Sequence, residues 1–566
     1  MFDTLPQEVI TLSYWSWSQI EPYYQDLATR PLDSGNIVTF LTDWTRLSER
    51  VDEMQARLQV ATTLNTTDQE AEQRYHTYLD EIYPAAQAAE QRLKEKLLSS
   101  GLEPSGFELP LQKMRNEAAL FRQANLPLFS QEHKLSTQYD KIIGAQTVEW
   151  AGQEVTLAQL QPVYQDPDRA VRERAWRLAA ERQLADREAI NELWQKFLNL
   201  RQHMTANADL GDYRAFCWQK LHRFDYTPAD CRRFHEAIEA EVAPVATRVY
   251  EKRRQRLGVD TLRPWDLEVD PLGRSALHPF HDALELQTKS SAMFHQLDPQ
   301  LGVYFDIMVH EGLLDLDNRK NKAPGGYCTA FAAVKRPFIF MNAVGLHNDV
   351  QTLLHEAGHA FHVFETSQLP YYQQLQVGEE FGEVASMAME LLATPYLSAP
   401  GGFYNEAEAA RARIEHLEGG ILFWPYMAVV DAFQHWVYEN PAAAMKPANC
   451  DAQWVTLWQR FMPDVDWSGL EQELMTGWQR KLHIHQLPFY YVEYGLAQLG
   501  AVQVWRNALT NQAEAVASYR RALALGGTVS LPQLYATAGA KFAFDGPTLR
   551  VAVNLMEETI AALEAV

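Results

Sequence analysis

From Asn36 to Ser100, Leu, Val, Trp and Tyr recur every three or four residues, and the only helix breaker is Pro84. That period marks one face of an α-helix. Trp44, Leu47, Val51, Met54 and Leu58 form its clearest stripe, and a stripe of this width is expected to be a helix–helix seam. The helical period returns from Asp168 through Met204, with Arg and Glu on the outer face. Between these stretches, residues 146–157 alternate apolar and polar around Ala151-Gly152, which predicts a small β-hairpin. Pro and Gly cluster over 263–283 and predict a loop-rich insertion. Phe338-Ile339-Phe340-Met341-Asn342 is a short apolar, aromatic run that predicts a strand, and Pro324-Gly325-Gly326-Tyr327-Cys328 before it predicts a flexible turn. There is no internal repeat, low-complexity tract or long linker. The pattern predicts a mainly α protein, with an N-terminal helical lobe over 1–200 carrying the hairpin and a second lobe over 201–566.

Composition narrows the functions open to such a chain. A net charge of −23 argues against nucleic acid and anionic membranes as partners, because both call for basic surface. The start of the sequence has no basic segment followed by an apolar one, and no stretch has the roughly 18 apolar residues of a membrane span. Cys217, Cys231, Cys328 and Cys450 are scattered without a CxxC pair, as suits reduced thiols. We expect a soluble cytoplasmic protein; its oligomeric state is not legible.

The chemistry concentrates at His355-Glu356-Ala357-Gly358-His359. On a helix, residues four apart stand one turn apart on one face, so both imidazoles can hold one zinc ion while Glu356 reaches a water beside it. The helix is expected to start near Asn348 or Asp349, either of which could cap it, and to run to about Glu365. A catalytic zinc needs a third protein ligand, and no third His follows at a suitable spacing. The candidates are Glu365, Glu379, Glu380, Glu383 and Glu390. Glu365 points away, whereas Glu383 and Glu390 share a face of a second apolar helix. One of those two would ligate while the other orients a ligand His; spacing alone leaves Glu379 open.

Leu354-His355-Glu356-Ala357-Gly358-His359-Ala360-Phe361-His362, followed by Phe381-Gly382-Glu383-Val384-Ala385-Ser386, resembles the thimet oligopeptidase and oligoendopeptidase F family of zinc metallopeptidases. Val148-Glu149-Trp150, Ala323–Cys328, Phe338–Asn342 and Pro488-Phe489-Tyr490-Tyr491-Val492-Glu493-Tyr494 point to its oligoendopeptidase F branch. The resemblance implies Glu383 as third ligand to one Zn2+ per chain, with Glu390 and His362 behind the ligands. It also implies a neurolysin-like helical clam or bowl whose deep central channel, with a small β-sheet near the zinc, admits short unstructured peptides. Strand 338–342 would be the edge on which substrate backbone pairs, so Gly325, Gly326, Tyr327, Phe340 and Tyr491 are candidate substrate contacts. Family members use a His and one or two Tyr to stabilise the oxyanion, which nominates His483 over His485, with Tyr490 and Tyr494. Arg319, Lys320 and Lys322 are read as a solvated turn, though they could bind a peptide carboxylate. The implied activity is endopeptidase cleavage of oligopeptides by Glu356-assisted attack of water. The alternatives are a helical zinc carboxypeptidase, which needs a cation for the substrate's terminal carboxylate, and an inactive peptide-binding protein.

Overall fold

The computed structural model describes residues 2–6, 9–12, 14–319, 321–323, 325–398 and 400–565, so Lys320 and Pro324 lie outside the described residues. The chain is mainly α-helical. The N-terminal stripe lies on a continuous helix, Ile37–Leu64, in which Trp44, Leu47 and Met54 are fully buried. The second periodic stretch is two helices, Arg169–Ala185 and Arg187–Asn207, separated at Asp186. No helix among the described residues is long and apolar enough to cross a membrane.

Apolar side chains gather into two main clusters. One draws on Phe2 to Met114 and the other, much larger, on Leu135 to Ile560. The division expected at residue 200 falls inside Arg187–Asn207, whose Trp194, Phe197, Leu198 and Met204 belong to the larger core. Polar ties join the two clusters: Lys113 Nζ donates to Gln376 O at 2.5 Å, and Tyr372 N donates to Thr45 Oγ1 at 3.1 Å.

The strands are few and short. Strands β1 (Thr147–Trp150) and β2 (Gln153–Thr156) form the hairpin, with Ala151 and Gly152 both at positive φ (52° and 80°) as a tight two-residue turn requires. A three-stranded sheet follows, from β3 (Leu314–Asp317), β4 (Tyr327–Phe331) and β5 (Arg336–Ala343) in the order β3-β5-β4.

This order corrects the expectation for residues 338–342. They lie in β5, the central strand, where Ile339 and Phe340 pair with β3 on one side and β4 on the other, so no free edge remains at those two residues. Phe340 is correspondingly excluded as a substrate contact: its backbone lies between partners on both sides, and its ring is fully buried under Tyr327, stacked at 4.8 Å. The sequence reading missed β3, which carries two aspartates, and read the start of β4 as turn. The exposed edge beside the motif helix is β4, where residues 327–330 are half-buried. Arg319 and Lys322 both pair with Asp315, and Lys322 is buried with Nζ also donating to Met341 O, so it is an internal tie rather than a solvated turn.

Candidate metal centre and its surroundings

The motif helix runs His347–Thr366. Asp349 does cap it, but from within the first turn: its Oδ2 accepts from the backbone N–H of Leu346 and of Val344, both at 2.8 Å. A second buried helix, Glu379–Leu392, crosses it. The crossing is set by Gly358, where an added Cβ would fall 2.4 Å from Ala385 O and 2.5 Å from Ser386 Cα. The two backbones touch, which only a residue without a side chain permits. The glycine inside the motif therefore fixes how closely the histidine helix approaches the carboxylate helix. Gly358→Ala must drive the helices apart, costing about 1–3 kcal/mol as overpacking does. We expect a lowered denaturation midpoint together with weaker zinc retention on dialysis against chelator; wild-type values of both would refute the account.

At that crossing His355, His359 and Glu383 bring one ligand atom each to within 4.8 Å of one another. Glu383 Oε2 lies 3.2 Å from His355 Nε2 and 3.5 Å from His359 Nε2. Behind them, His355 Nδ1–H donates to Glu390 Oε1 at 2.7 Å, which leaves Nε2 facing Glu383 as a metal requires. Glu390 Oε2 is in turn 3.5 Å from His416 Nε2, a residue of the long helix Glu406–Glu439 that no sequence signal pointed to. Ser386, one turn after Glu383, donates to Glu383 Oε2 at 2.8 Å. Its place at i+3 was a signal that could have been read. The donor set of two imidazoles, one carboxylate and a carboxylate behind an imidazole fits a zinc ion.

Electrostatics agree with such a site. Burial presses the His355 imidazole toward neutrality, but Glu383 and Glu390 outweigh it and hold its pKa well above the usual value. Burial raises Glu383, yet His359 and His355 bring it well below the normal carboxylate range. Without metal, Glu383 and the two imidazoles thus favour one another's charged forms. Glu356 is buried, and burial with the charges of Glu383 and Glu390 raises its pKa despite the nearby histidines. Glu379 lies at the start of the carboxylate helix, where burial and Glu383 raise it from 4.5 to about 7. Because its folded pKa is raised, its proton is held by the fold and lost more readily by the unfolded chain. Its contribution to stability is therefore greatest below pH 4.5 and is lost as pH rises to about 7. In metal-free protein, Glu379→Gln should show a gain in Tm over wild type that grows across this window; a pH-independent difference would contradict the assignment.

The late segment divides as follows. Tyr490 OH donates to Glu383 Oε1 at 2.7 Å. Tyr494 OH stands 3.4 Å from His483 Nε2, and its ring is 5.1 Å from that of Tyr490. His485 instead stacks on Tyr139 and Trp478 inside the core, fully buried. Tyr491 is corrected as a substrate contact: it is 5% exposed and wedged among Phe423, Tyr426 and His483, so it buttresses its neighbours. His362 is buried edge-on against Phe381 with Nε2 lacking a hydrogen-bond partner, and burial pushes its pKa down to about 3. It packs behind the ligands. Gly326 sits tightly under Thr352 of the motif helix, with Gly325 at φ 92° beside it.

A charged cluster that sequence reasoning missed holds the tyrosine loop. Arg223, with no exposed side-chain surface, donates through Nη2 to Glu493 Oε1 (2.5 Å) and to Phe489 O (2.6 Å), and its Nε lies 3.6 Å from Glu380 Oε1. Phe489 is held at φ 65°, an uncommon conformation for a bulky residue, immediately before Tyr490. Nothing in the sequence around Arg223 marks this role.

Comparisons with known proteins show what the chain as a whole is similar to. A profile of peptidase family M3 matches residues 163–552, and one of the peptidase M3 N-terminal domain matches residues 11–105. An oligoendopeptidase F homologue of Borreliella burgdorferi is 24% identical over 374 residues, which span 62% of this chain and 60% of that relative's length. The solved structure of PZ peptidase A with an inhibitor superposes with a TM-score of 0.90 at 27% identity, covering 100% of this chain and 99% of that one. A structure described as an oligoendopeptidase F reaches a TM-score of 0.92 at 28% identity with the same coverage.

Proposed function

The chain belongs to peptidase family M3, and on that premise we propose that it is a zinc-dependent endopeptidase hydrolysing short unstructured oligopeptides. The observation that carries this reading is the convergence of His355, His359 and Glu383, with Glu390 orienting His355 and Glu356 beside them. When bound by those three residues, zinc supplies Lewis acidity toward a peptide carbonyl and a water. Glu356, with its raised pKa, is suited to accept a proton from the attacking water and pass it to the departing nitrogen. Tyr490 holds Glu383 by the oxygen turned away from the histidines, which leaves Tyr494 and His483 as donors to the developing oxyanion. Burial pushes the His483 pKa down to about 3, so it acts as a neutral N–H donor.

Substrate backbone would add to the β4 edge, starting at Gly325, Gly326 and Tyr327, since β5 is paired on both sides. Short, extended substrates are favoured because the ligand histidines keep only 21% and 22% of their side-chain surface accessible. The carboxypeptidase alternative needs a cation free for a terminal carboxylate, yet Arg319 and Lys322 are both engaged by Asp315.

An internally quenched peptide blocked at both ends should be cleaved, lose cleavage on demetallation and regain it with zinc. Cleavage only of unblocked peptides would favour the exopeptidase, and persistence in demetallated protein would refute metal catalysis.

A further inference from the structure

Among the described residues, metal-ligating side chains converge in one other place, and it shares no residue with the centre above. Cys231 and His235 are four apart on the helix Pro228–Glu241, and Asp431 and His435 are four apart on the long helix Glu406–Glu439. On each helix that spacing puts both side chains on one face. The faces meet in the core: Cys231 and Asp431 are fully buried, and His235 and His435 are each 4% exposed. Ligand atoms of Cys231, Asp431 and His435 lie within 4.8 Å of one another. His235 Nε2 is 2.8 Å from Asp431 Oδ2, and His435 Nε2 is 3.4 Å from the same oxygen.

Hydrogen bonding leaves this group unfinished. Asp431 Oδ1 is buried without a hydrogen-bond partner, and buried His435 Nε2 faces Asp431 Oδ2 at 3.4 Å without the alignment of a hydrogen bond. A buried carboxylate oxygen and imidazole nitrogen left unpaired are costly, and a bound ion is one of the few ways to satisfy both. The geometry is close to what an ion would need. Zinc bonds of about 2.0–2.3 Å to nitrogen, oxygen and sulfur place tetrahedral ligands about 3.3–3.8 Å apart, a contraction of about 1 Å from the present limit. That is within the reach of side-chain rotation.

We propose that Cys231, Asp431 and His435 form a second zinc site, with His235 holding Asp431 from behind. Three ligands from two facing helices, all buried in the core, would tie those helices together away from solvent. Two charged neighbours bear on loading. Arg214 Nη1 lies 3.4 Å from His435 Nδ1, so it must turn fully to its partners Glu439 and Asp212 for Nδ1 to carry the proton. Burial and the charge of Asp431 hold the Cys231 thiol well above its usual range, so loading displaces a proton. The ion would clamp the platform of the tyrosine loop. The His435 ring packs edge-on against Phe489 at 5.2 Å, and neighbouring Gln434 accepts from Phe489 N at 2.6 Å.

The test is metal counting on the full chain, together with cobalt substitution. Elemental analysis after reconstitution with zinc should give two equivalents per chain in wild type and one in Cys231→Ser. Cobalt-loaded protein should show a sulfur-to-cobalt charge-transfer band, which the two-histidine, one-carboxylate centre cannot produce. The band should vanish in Cys231→Ser, persist in Cys328→Ser, and persist in His355→Ala, where the count falls to one. The wild-type count needs no variant to fold, and His435→Gln offers a second route if Cys231→Ser is unstable. A single equivalent in wild type, or a band insensitive to Cys231→Ser, would overturn the proposal and leave His235, Asp431 and His435 as a hydrogen-bonded network. Loss of peptidase activity in His355→Ala with the band intact keeps this test separate from that of the catalytic reading.

Discussion

Glu356→Gln should lower kcat for peptide hydrolysis by about 100- to 10,000-fold, the range that general acid–base catalysis contributes. The substitution keeps size and hydrogen-bonding reach but removes the ability to accept a proton. Glu356 is not among the three groups whose ligand atoms converge, so metal content should not change. The affinity for substrate should hold as well, because the β4 edge and its glycine turn are untouched. Steady-state kinetics on a quenched peptide, paired with elemental analysis of the same sample, separates the cases. Activity within tenfold of wild type would remove Glu356 from the mechanism. A parallel fall in bound metal would show it to be a structural prop of the ligands.

A second large effect is expected far from any reacting atom. Arg223→Met should destabilise the fold by about 3–5 kcal/mol, the cost of leaving buried carboxylates without their cation. Glu493→Gln should cost much less. Burial and the neighbouring Glu380 already raise the Glu493 carboxyl well above its usual range, so the amide replaces a group that favours its neutral form. The asymmetry is the point: removing the cation strands Glu380 and the Phe489 carbonyl, whereas replacing the acid leaves Arg223 paired with both. Denaturant midpoints for the two variants test it, and equal losses would contradict it. Because Arg223 holds the residue before Tyr490, its loss should also lower kcat even where the chain remains folded.

The parts of this structure that were legible are those written in one helix. The stripe from Trp44 to Leu58 and the face shared by His355 and His359 follow from a 3.6-residue period, and the hairpin at Ala151-Gly152 follows from its turn. Glu383 and Glu390 shared a face by the same rule, but periodicity left open which faced the histidines, and only the resemblance to a family chose between them. Contacts between distant segments left no such trace. His416 reaches Glu390 from another helix, and Arg223 reaches Glu493 across 270 positions. The strand order failed for a related reason. Phe338–Met341 looks like an isolated apolar run, and its central place depends on β3, whose Leu-Asp-Leu-Asp alternation is too short and acidic to announce a buried partner.

The two oxygens of Glu383 have a consequence for which ion is kept. One is turned to the histidines and braced by Ser386, and the other is engaged by Tyr490. With Oε1 occupied by Tyr490, the carboxylate would offer a metal chiefly its Oε2. Calcium gathers six to eight oxygens and favours two-point carboxylates, so this pocket is too sparse and too nitrogen-rich for it. Zinc is content with four partners and readily takes imidazole. Were a zinc ion held there, the hydrogen bond from Tyr490 to Glu383 would favour attachment through the other oxygen, and so favour zinc over calcium.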